Sequence, residues 1–250
     1  PPMRTYRADL HVHTVLSPCA EVEMIPPLIV ETALELGISL IAITDHNSSA
    51  NIISVQKAAE NTGLVVLPGM ELQTREDIHS LCLFDTLEQI KALQKIVDST
   101  RQRIQNQPDH FGEQFVVDET GDFIRTESQL LITSSSLSLD QAFKIVQDLN
   151  GLFIPAHINR KTFGLIESLG FLPPDILFPA VEISRHITVE QAKSQIPSIR
   201  KIPVIQNGDV HRLIEFLGSL YLNMENPTVA EILLAFEGVN GRSMEVRLEK

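Results

Sequence analysis

Three observations predict an α/β fold built on a mainly parallel sheet or barrel. Short apolar, β-branched runs alternate with amphipathic helical patterns along most of the chain. The chain has 250 residues, 43% of them hydrophobic, enough for one sizeable core and within the span of α/β barrels. The alternation breaks at one place, between about 106 and 136.

The elements follow in order. Strand-like runs are expected at 7–12 and 39–44, separated by a helix that Pro26 and Pro27 open and Gly37 stops. Proline is tolerated in a helix's first turn and glycine just past its last, so this order of residues is a start-and-stop signal. Ile52, Val55 and Ala59 stripe a second helix that stops at Gly63, ahead of a strand at 64–67. A fourth strand at 79–84 is followed by Thr86 and Gln89, which have the spacing of a capping box. In the break, 115–117 and 123–125 flank a polar turn centred on Gly121 and predict a hairpin, and Ser134, Ser135 and Ser136 predict a loop. Ser138 and Gln141 start another helix, and strands at 152–156, 180–183 and 202–205 complete the set.

No internal repeat, low-complexity tract or linker divides the chain, so one domain is expected over 1–250. The formal net charge is −12, from 20 basic and 32 acidic residues. Such a surface works against binding a long phosphate polymer, which relies on Lys and Arg, although a local cluster of cations can still hold a small anion. Only Cys19 and Cys82 are present, so no disulfide framework is read and a cytoplasmic protein is expected. No apolar run approaches a membrane span, and the N-terminus lacks the apolar core of a signal peptide. Pro1 and Pro2 ahead of Met3 read as an addition before the natural start and are left out of fold reasoning.

The chemistry lies at the strand ends. Asp9-Leu10-His11-Val12-His13 closes the first strand, and a two-residue spacing in a strand sends both imidazoles to one face, half of a metal site. Thr44-Asp45-His46-Asn47 follows the second strand, Gly69-Met70-Glu71 the third, and His79 opens the fourth. Pro155-Ala156-His157 ends the fifth and Gly208-Asp209-Val210-His211 the seventh. Six of the eight histidines occupy these positions, leaving His110 and His186 elsewhere. Barrel enzymes assemble their sites where strand ends converge on one mouth, which is what this distribution expects.

Taken together, these segments resemble the polymerase-and-histidinol-phosphatase (PHP) family of metallophosphoesterases, in motif order from Arg7 to His211. The resemblance implies a distorted (β/α)7 barrel, here carrying the excursion at 106–136, with two or three divalent ions of manganese, iron or zinc. It implies that His11, His13, Glu71 and Asp209 hold a first ion. Glu71 bridges to a second with His79 and His157, and His46 and His211 hold a third. Asp45, Glu71 and Asp209 are the expected catalytic carboxylates, Asp45 by orienting a ligand or moving a proton.

One position departs from the family. Where a carboxylate or histidine commonly completes the third site, this chain has Pro18, which has no donor atom in its side chain. Cys19, Glu21 and Glu23 are nearby, and Glu21 is the expected substitute. Arg160, Lys161 and Arg185 lie close to the expected mouth; Arg160, Arg185 and His186 are the candidates for the substrate phosphate. The expected activity is hydrolysis of a small phosphate monoester, of nucleotide or histidinol-phosphate type, by water that the ions activate. The partner is then a small phosphorylated metabolite, with nucleic acid disfavoured by the net charge. The alternatives are a PHP-type exonuclease or phosphodiesterase, an amidohydrolase-type barrel, and a metal-binding regulatory module without turnover.

Overall fold

The computed structural model describes residues 1–248. Its main sheet has seven strands in the order β11-β10-β1-β2-β3-β4-β7. These are β1 (Arg4–Val12), β2 (Leu40–Ile43), β3 (Val65–Gln73), β4 (His79–Leu83), β7 (Leu152–Pro155), β10 (Leu220–Met224) and β11 (Ser243–Val246). A separate parallel pair, β8 (Val181–Ile183) and β9 (Val204–Gln206), completes a ring. Ile158 N–H donates to Glu182 O beyond β7, and Val210 N–H donates to His11 O beyond β9, each at 2.9–3.0 Å. The seven strands expected from the sequence are therefore β1, β2, β3, β4, β7, β8 and β9, curled into a barrel whose β8–β9 part is only loosely stitched to its neighbours.

One expectation changes. The sheet is less parallel than anticipated, because β4 runs antiparallel to both β3 and β7. Only 74–78 separate β3 from β4, and a link that short makes a hairpin where a parallel crossover needs a dozen residues or more. The reversal puts the start of β4 beside the end of β3, with Gln73 opposite His79. That is why a residue that opens a strand reaches the same mouth as residues that close others. Strands β10 and β11, absent from the sequence reading, pair antiparallel beyond the first half of β1.

The helices cover the outer face: α1 (Pro26–Glu35), α2 (Ile52–Ala58), α3 (Leu87–Thr100) and α5 (Leu139–Asp148), with α4 (Pro108–Phe111) in the excursion. Further on come α6 (Leu165–Leu169), α7 (Val189–Gln195) and α8 (Val229–Glu237). Both expected capping boxes form, at Thr86 with Gln89 and at Ser138 with Gln141, and a third forms at Thr188 with Gln191. Helix α2 ends before Gly63; Asn61 and Gly63 turn the chain with φ of 62° and 84°.

Alternate residues of each strand enter different apolar layers. Ile41 and Ile43 pack with Ile29 and Val55 under the helices, whereas Leu10, Leu40, Ala42 and Ile154 pack with Phe236 of α8. Each fully buried Leu or Ile contributes about 1.5–3 kcal/mol. This plug of apolar side chains forms the floor below the strand ends.

The excursion folds as expected into a hairpin, β5 (Phe115–Val117) with β6 (Phe123–Thr126). It is fastened to the barrel by Asn47, whose Nδ2 donates to Leu131 O and Thr133 O and whose Oδ1 accepts from Gln73 N–H. Among the described residues no helix is long and apolar enough to cross a membrane.

Asn47 is buried with φ of 49°, a conformation asparagine tolerates better than alanine. Asn47→Ala leaves Thr133 O and Gln73 N–H without partners, while Leu131 O keeps the N–H of Thr133, so it should cost about 2–4 kcal/mol. Hydrogen exchange should show 128–136 losing protection more than α5. Equal loss across the barrel would show that Asn47 does not act as the local fastener.

Candidate metal centre

The strand ends bring six imidazoles and two carboxylates to one point. Glu71, at the end of β3, is 1% exposed and is the centre of the group. Its Oε1 lies 3.2 Å from His11 Nε2, 3.1 Å from His13 Nε2 and 3.3 Å from His46 Nδ1. Its Oε2 lies 3.3 Å from His79 Nδ1 and 3.1 Å from His157 Nε2. Asp209 Oδ1 sits 3.1 Å from His11 Nε2 and 3.2 Å from His13 Nε2. His211 stacks on His13 with ring centroids 4.0 Å apart.

Three sets of donor atoms are close enough to share an ion: His11, His13, Glu71 and Asp209; His46, Glu71 and His79; and His13, His46 and His211. The first matches the set the resemblance implies. In the second, His46 stands beside His79 where the resemblance implies His157, which belongs to none of the three sets although its Nε2 meets the same Glu71 oxygen as His79.

The second nitrogen of most rings is tied to the protein. His11 Nδ1 is 2.9 Å from Glu182 Oε2, and His13 Nδ1 is 2.7 Å from Ser17 Oγ. His79 Nε2 is 3.2 Å from Gln73 Oε1, and His211 Nδ1 is 2.9 Å from Asp209 O. Each partner accepts an N–H, which selects the tautomer whose other nitrogen carries a bare lone pair. Ser17 can accept because its own hydroxyl donates to Asp45 Oδ1 at 2.8 Å. Asp45 also accepts from Thr14 N–H and Oγ–H, at 2.7 and 2.8 Å. It therefore stands behind His13 and acts on the centre through Ser17.

Facing inward, His11 Nε2, His13 Nε2, His46 Nδ1 and His79 Nδ1 are buried without a hydrogen bond among the described residues, as are Glu71 Oε1 and Asp209 Oδ1, whereas His157 presents Nε2 to Glu71 Oε2 at 3.1 Å. Lone pairs crowded this closely repel one another unless cations or protons sit between them. The donor set, mixed imidazole and carboxylate, suits divalent ions of the first transition row.

Burial by itself would raise the Glu71 pKa, but His11, His79 and His46 outweigh it and hold the group well below the usual carboxylate range. Asp209 is likewise held low against burial, chiefly by His11 and by its hydrogen bond to His13. Burial opposes protonation of His13, yet Asp209 and Glu71 raise it from 6.5 to about 9, and His11 is raised as well. Burial lowers His46 and His79, and burial with His13 lowers His211 to about 4.

Two strand-end residues, His157 and Asp209, have φ of 28° and 49°, left-handed conformations that the surroundings must enforce. Asp9 supplies part of this: its buried carboxylate accepts from the N–H groups of Gly208 and Leu217 at 3.0–3.1 Å, pinning the loop that carries Asp209 and His211. A Cβ on Gly208 would lie 2.8 Å from that carboxylate and 2.5 Å from Glu215 O, so only glycine fits.

A cleft of about 980 Å³ opens above the centre and is rimmed by Arg160, Lys161, Arg185, His186 and Arg212. Arg160 is half-exposed, with Nη1 3.9 Å from Asp209 Oδ2. Arg185 donates from Nη2 to Glu215 O, and its buried Nε has no partner among the described residues. Glu21 lines the mouth but belongs to none of the three donor sets. Cys19 Sγ lies 3.9 Å from His46 Nε2, and Glu23 Oε1 accepts from Leu213 N–H. Glu182, Asn207 and Asp9 drew no notice as site residues in the sequence. The available signal was a carboxylate inside an apolar strand, Asp9 at 7–12 and Glu182 at 180–183.

Residues 9–153, more than half of the chain, match the PHP domain family. The uncharacterized protein YqxK of Bacillus subtilis is 25% identical over 97% of this chain and 64% of its own length. The 5′-3′ exoribonuclease Rnm of Escherichia coli is 32% identical over 75 residues, 29% of this chain and 25% of its own. Among solved structures, the lesion-specific endonuclease PfuEndoQ from Pyrococcus furiosus superposes with a TM-score of 0.74 at 20% identity. That match covers 96% of this chain and 58% of the endonuclease. The chain thus spans less than two thirds of each of these three proteins.

The paired imidazoles and carboxylates give the ion-free chain a pH signature. With its folded pKa raised above 6.5, His13 contributes stability that is fully present below about pH 6.5 and lost as pH rises through about 9. His11, raised too, adds in the same direction. The unfolding midpoint of chelator-treated protein should fall between pH 6.5 and 9, and His13→Gln should flatten that decline. A midpoint constant over this window would contradict the coupling.

Proposed function

The chain belongs to the PHP domain family, and from that membership we propose that it is a metal-dependent phosphoric ester hydrolase acting on phosphodiester linkages of nucleic acid. The observation that carries the reading is the ring of bare, buried imidazole nitrogens around Glu71 and Asp209 beneath a cleft rimmed by arginines. His11, His13, Glu71 and Asp209 would hold one ion, Glu71 with His79 and His157 a second, and His46 with His211 a third. Divalent ions at these positions supply Lewis acidity, which lowers the pKa of water and offsets charge on phosphate oxygens.

The chain's own residues do the rest. Asp45, through Ser17, and Gln73 keep His13 and His79 in the tautomers that present a bare nitrogen. Arg185 is held by Glu215 O with an unpartnered donor left over, and Arg160 lies beside Asp209, so both guanidinium groups can donate to phosphate oxygens. The open cleft and its four basic rim residues suit an extended substrate as well as a terminal phosphate.

The small-metabolite expectation is displaced by the relatives named endonuclease and exoribonuclease, which weigh toward nucleic acid. The net charge of −12 describes the whole surface, whereas a phosphate approaching the mouth meets the rim cations and the field focused by the cleft. A small monoester stays as the second reading, favoured by that overall acidity.

Screening the manganese-loaded protein against oligonucleotides and a panel of phosphate monoesters separates the two. The expected result is faster cleavage of oligonucleotide linkages, with Glu71→Gln or Asp209→Asn lowering the rate by at least about 100-fold. Arg160→Ala and Arg185→Ala should chiefly raise KM. Phosphate release from a monoester outpacing every oligonucleotide would shift the substrate to the second reading.

A further inference from the structure

We infer that Glu182 is the residue that positions the first metal site, by fixing the His11 ring and tying it to the backbone of His157. The inference rests on the proposal that the centre binds divalent ions. Glu182 lies in the middle of β8 and is 1% exposed. Its carboxylate is 2.9 and 3.1 Å from His11 Nδ1, on the opposite side of the ring from the nitrogen that faces Glu71 and Asp209. It accepts from the N–H of His157 at 2.9 Å and from Asn207 Nδ2 at 2.9 Å.

Three donors from three strand ends thus converge on one carboxylate: His11 from β1, His157 beyond β7 and Asn207 beyond β9. This is where the barrel is loosely stitched, so the carboxylate takes the place of missing ladder hydrogen bonds. It also satisfies the N–H of His157, whose φ of 28° is otherwise unfavourable. Because Glu182 accepts at Nδ1, the His11 proton stays there and Nε2 keeps its lone pair for an ion. A negative charge one imidazole away also makes that nitrogen a stronger donor.

Glutamine at 182 has one acceptor oxygen for three donors, and its amide hydrogens find only other donors. His11 is then free to move its proton to Nε2, the atom the ion needs. Partners of this kind affect metal affinity by about 10–100-fold.

The test is titration of manganese into chelator-treated full-length protein, for wild type, Glu182→Gln and Asn207→Ala. Glu182→Gln should weaken the tightest ion by at least about 10-fold with the fold retained by circular dichroism. Asn207→Ala, which removes one donor to Glu182 and the acceptor of Leu10 N–H but leaves the carboxylate on His11, should change affinity by less than about threefold. In the zinc-loaded wild type, a nitrogen-edited proton spectrum should place a strongly hydrogen-bonded imidazole proton on His11 Nδ1. Unchanged affinity in Glu182→Gln, or equal loss in Asn207→Ala, would overturn the positioning role in favour of a purely structural one. If Glu182→Gln does not fold, the wild-type spectrum decides, since a His11 proton on Nε2 refutes the inference. A wild type that binds no ion refutes the metal reading itself, a distinct outcome.

Discussion

A carboxylate buried where water cannot reach it costs several kcal/mol unless charge or hydrogen bonds compensate it, and Glu71 is such a group. Five imidazole nitrogens lie within 3.1–3.3 Å of its two oxygens. They come from the ends of β1, β2 and β7 and the start of β4, so these strands must meet at one level. The same density of charge explains why neighbouring histidines are pushed in opposite directions, His13 up to about 9 and His211 down to about 4. Each added proton makes the next more costly, and a cluster in this condition is primed to exchange protons for metal ions.

The barrel accommodates this demand by being irregular. A regular parallel barrel brings only strand C-termini to its mouth, whereas the β3–β4 hairpin delivers His79 from a strand's first residue. Around β8 and β9 the ladder is sparse, and buried carboxylates do the joining: Asp9 holds the 208–217 backbone, and Glu182 joins β1, β7 and β9. Polar groups concentrated at one end of an otherwise apolar core leave Leu10, Leu40 and Ile154 to supply the packing beneath them.

Charge has to be weighed at the place where it acts. The chain is strongly acidic overall, yet the rim of the cleft carries Arg160, Lys161, Arg185 and Arg212, with Arg185 oriented by a backbone carbonyl. The net charge averages over surface that a phosphate at the mouth never meets. Within about a Debye length of the mouth, near 8–10 Å, it is the local balance that counts, and there the four basic residues face Glu21, Glu71, Glu182, Asp209 and Glu215.

The sequence by itself determined the α/β class, the seven strands of the ring, the hairpin excursion and the strand-end histidines. All of these rest on local periodicity, turn chemistry and residue type, which are written in consecutive residues. His11 and His13 were legible because a two-residue spacing fixes their relative direction, and the capping boxes because three residues define them. Only the tertiary structure decided that β4 reverses, that Asn47 fastens the excursion, and that Asp45 acts through Ser17 on His13. It also brought Cys19 beside His46, left Glu21 outside the donor sets, and placed Glu182 behind His11. These depend on contacts between residues as far as 171 positions apart, and no local pattern encodes which buried carboxylate will meet which imidazole once the strands have curled together.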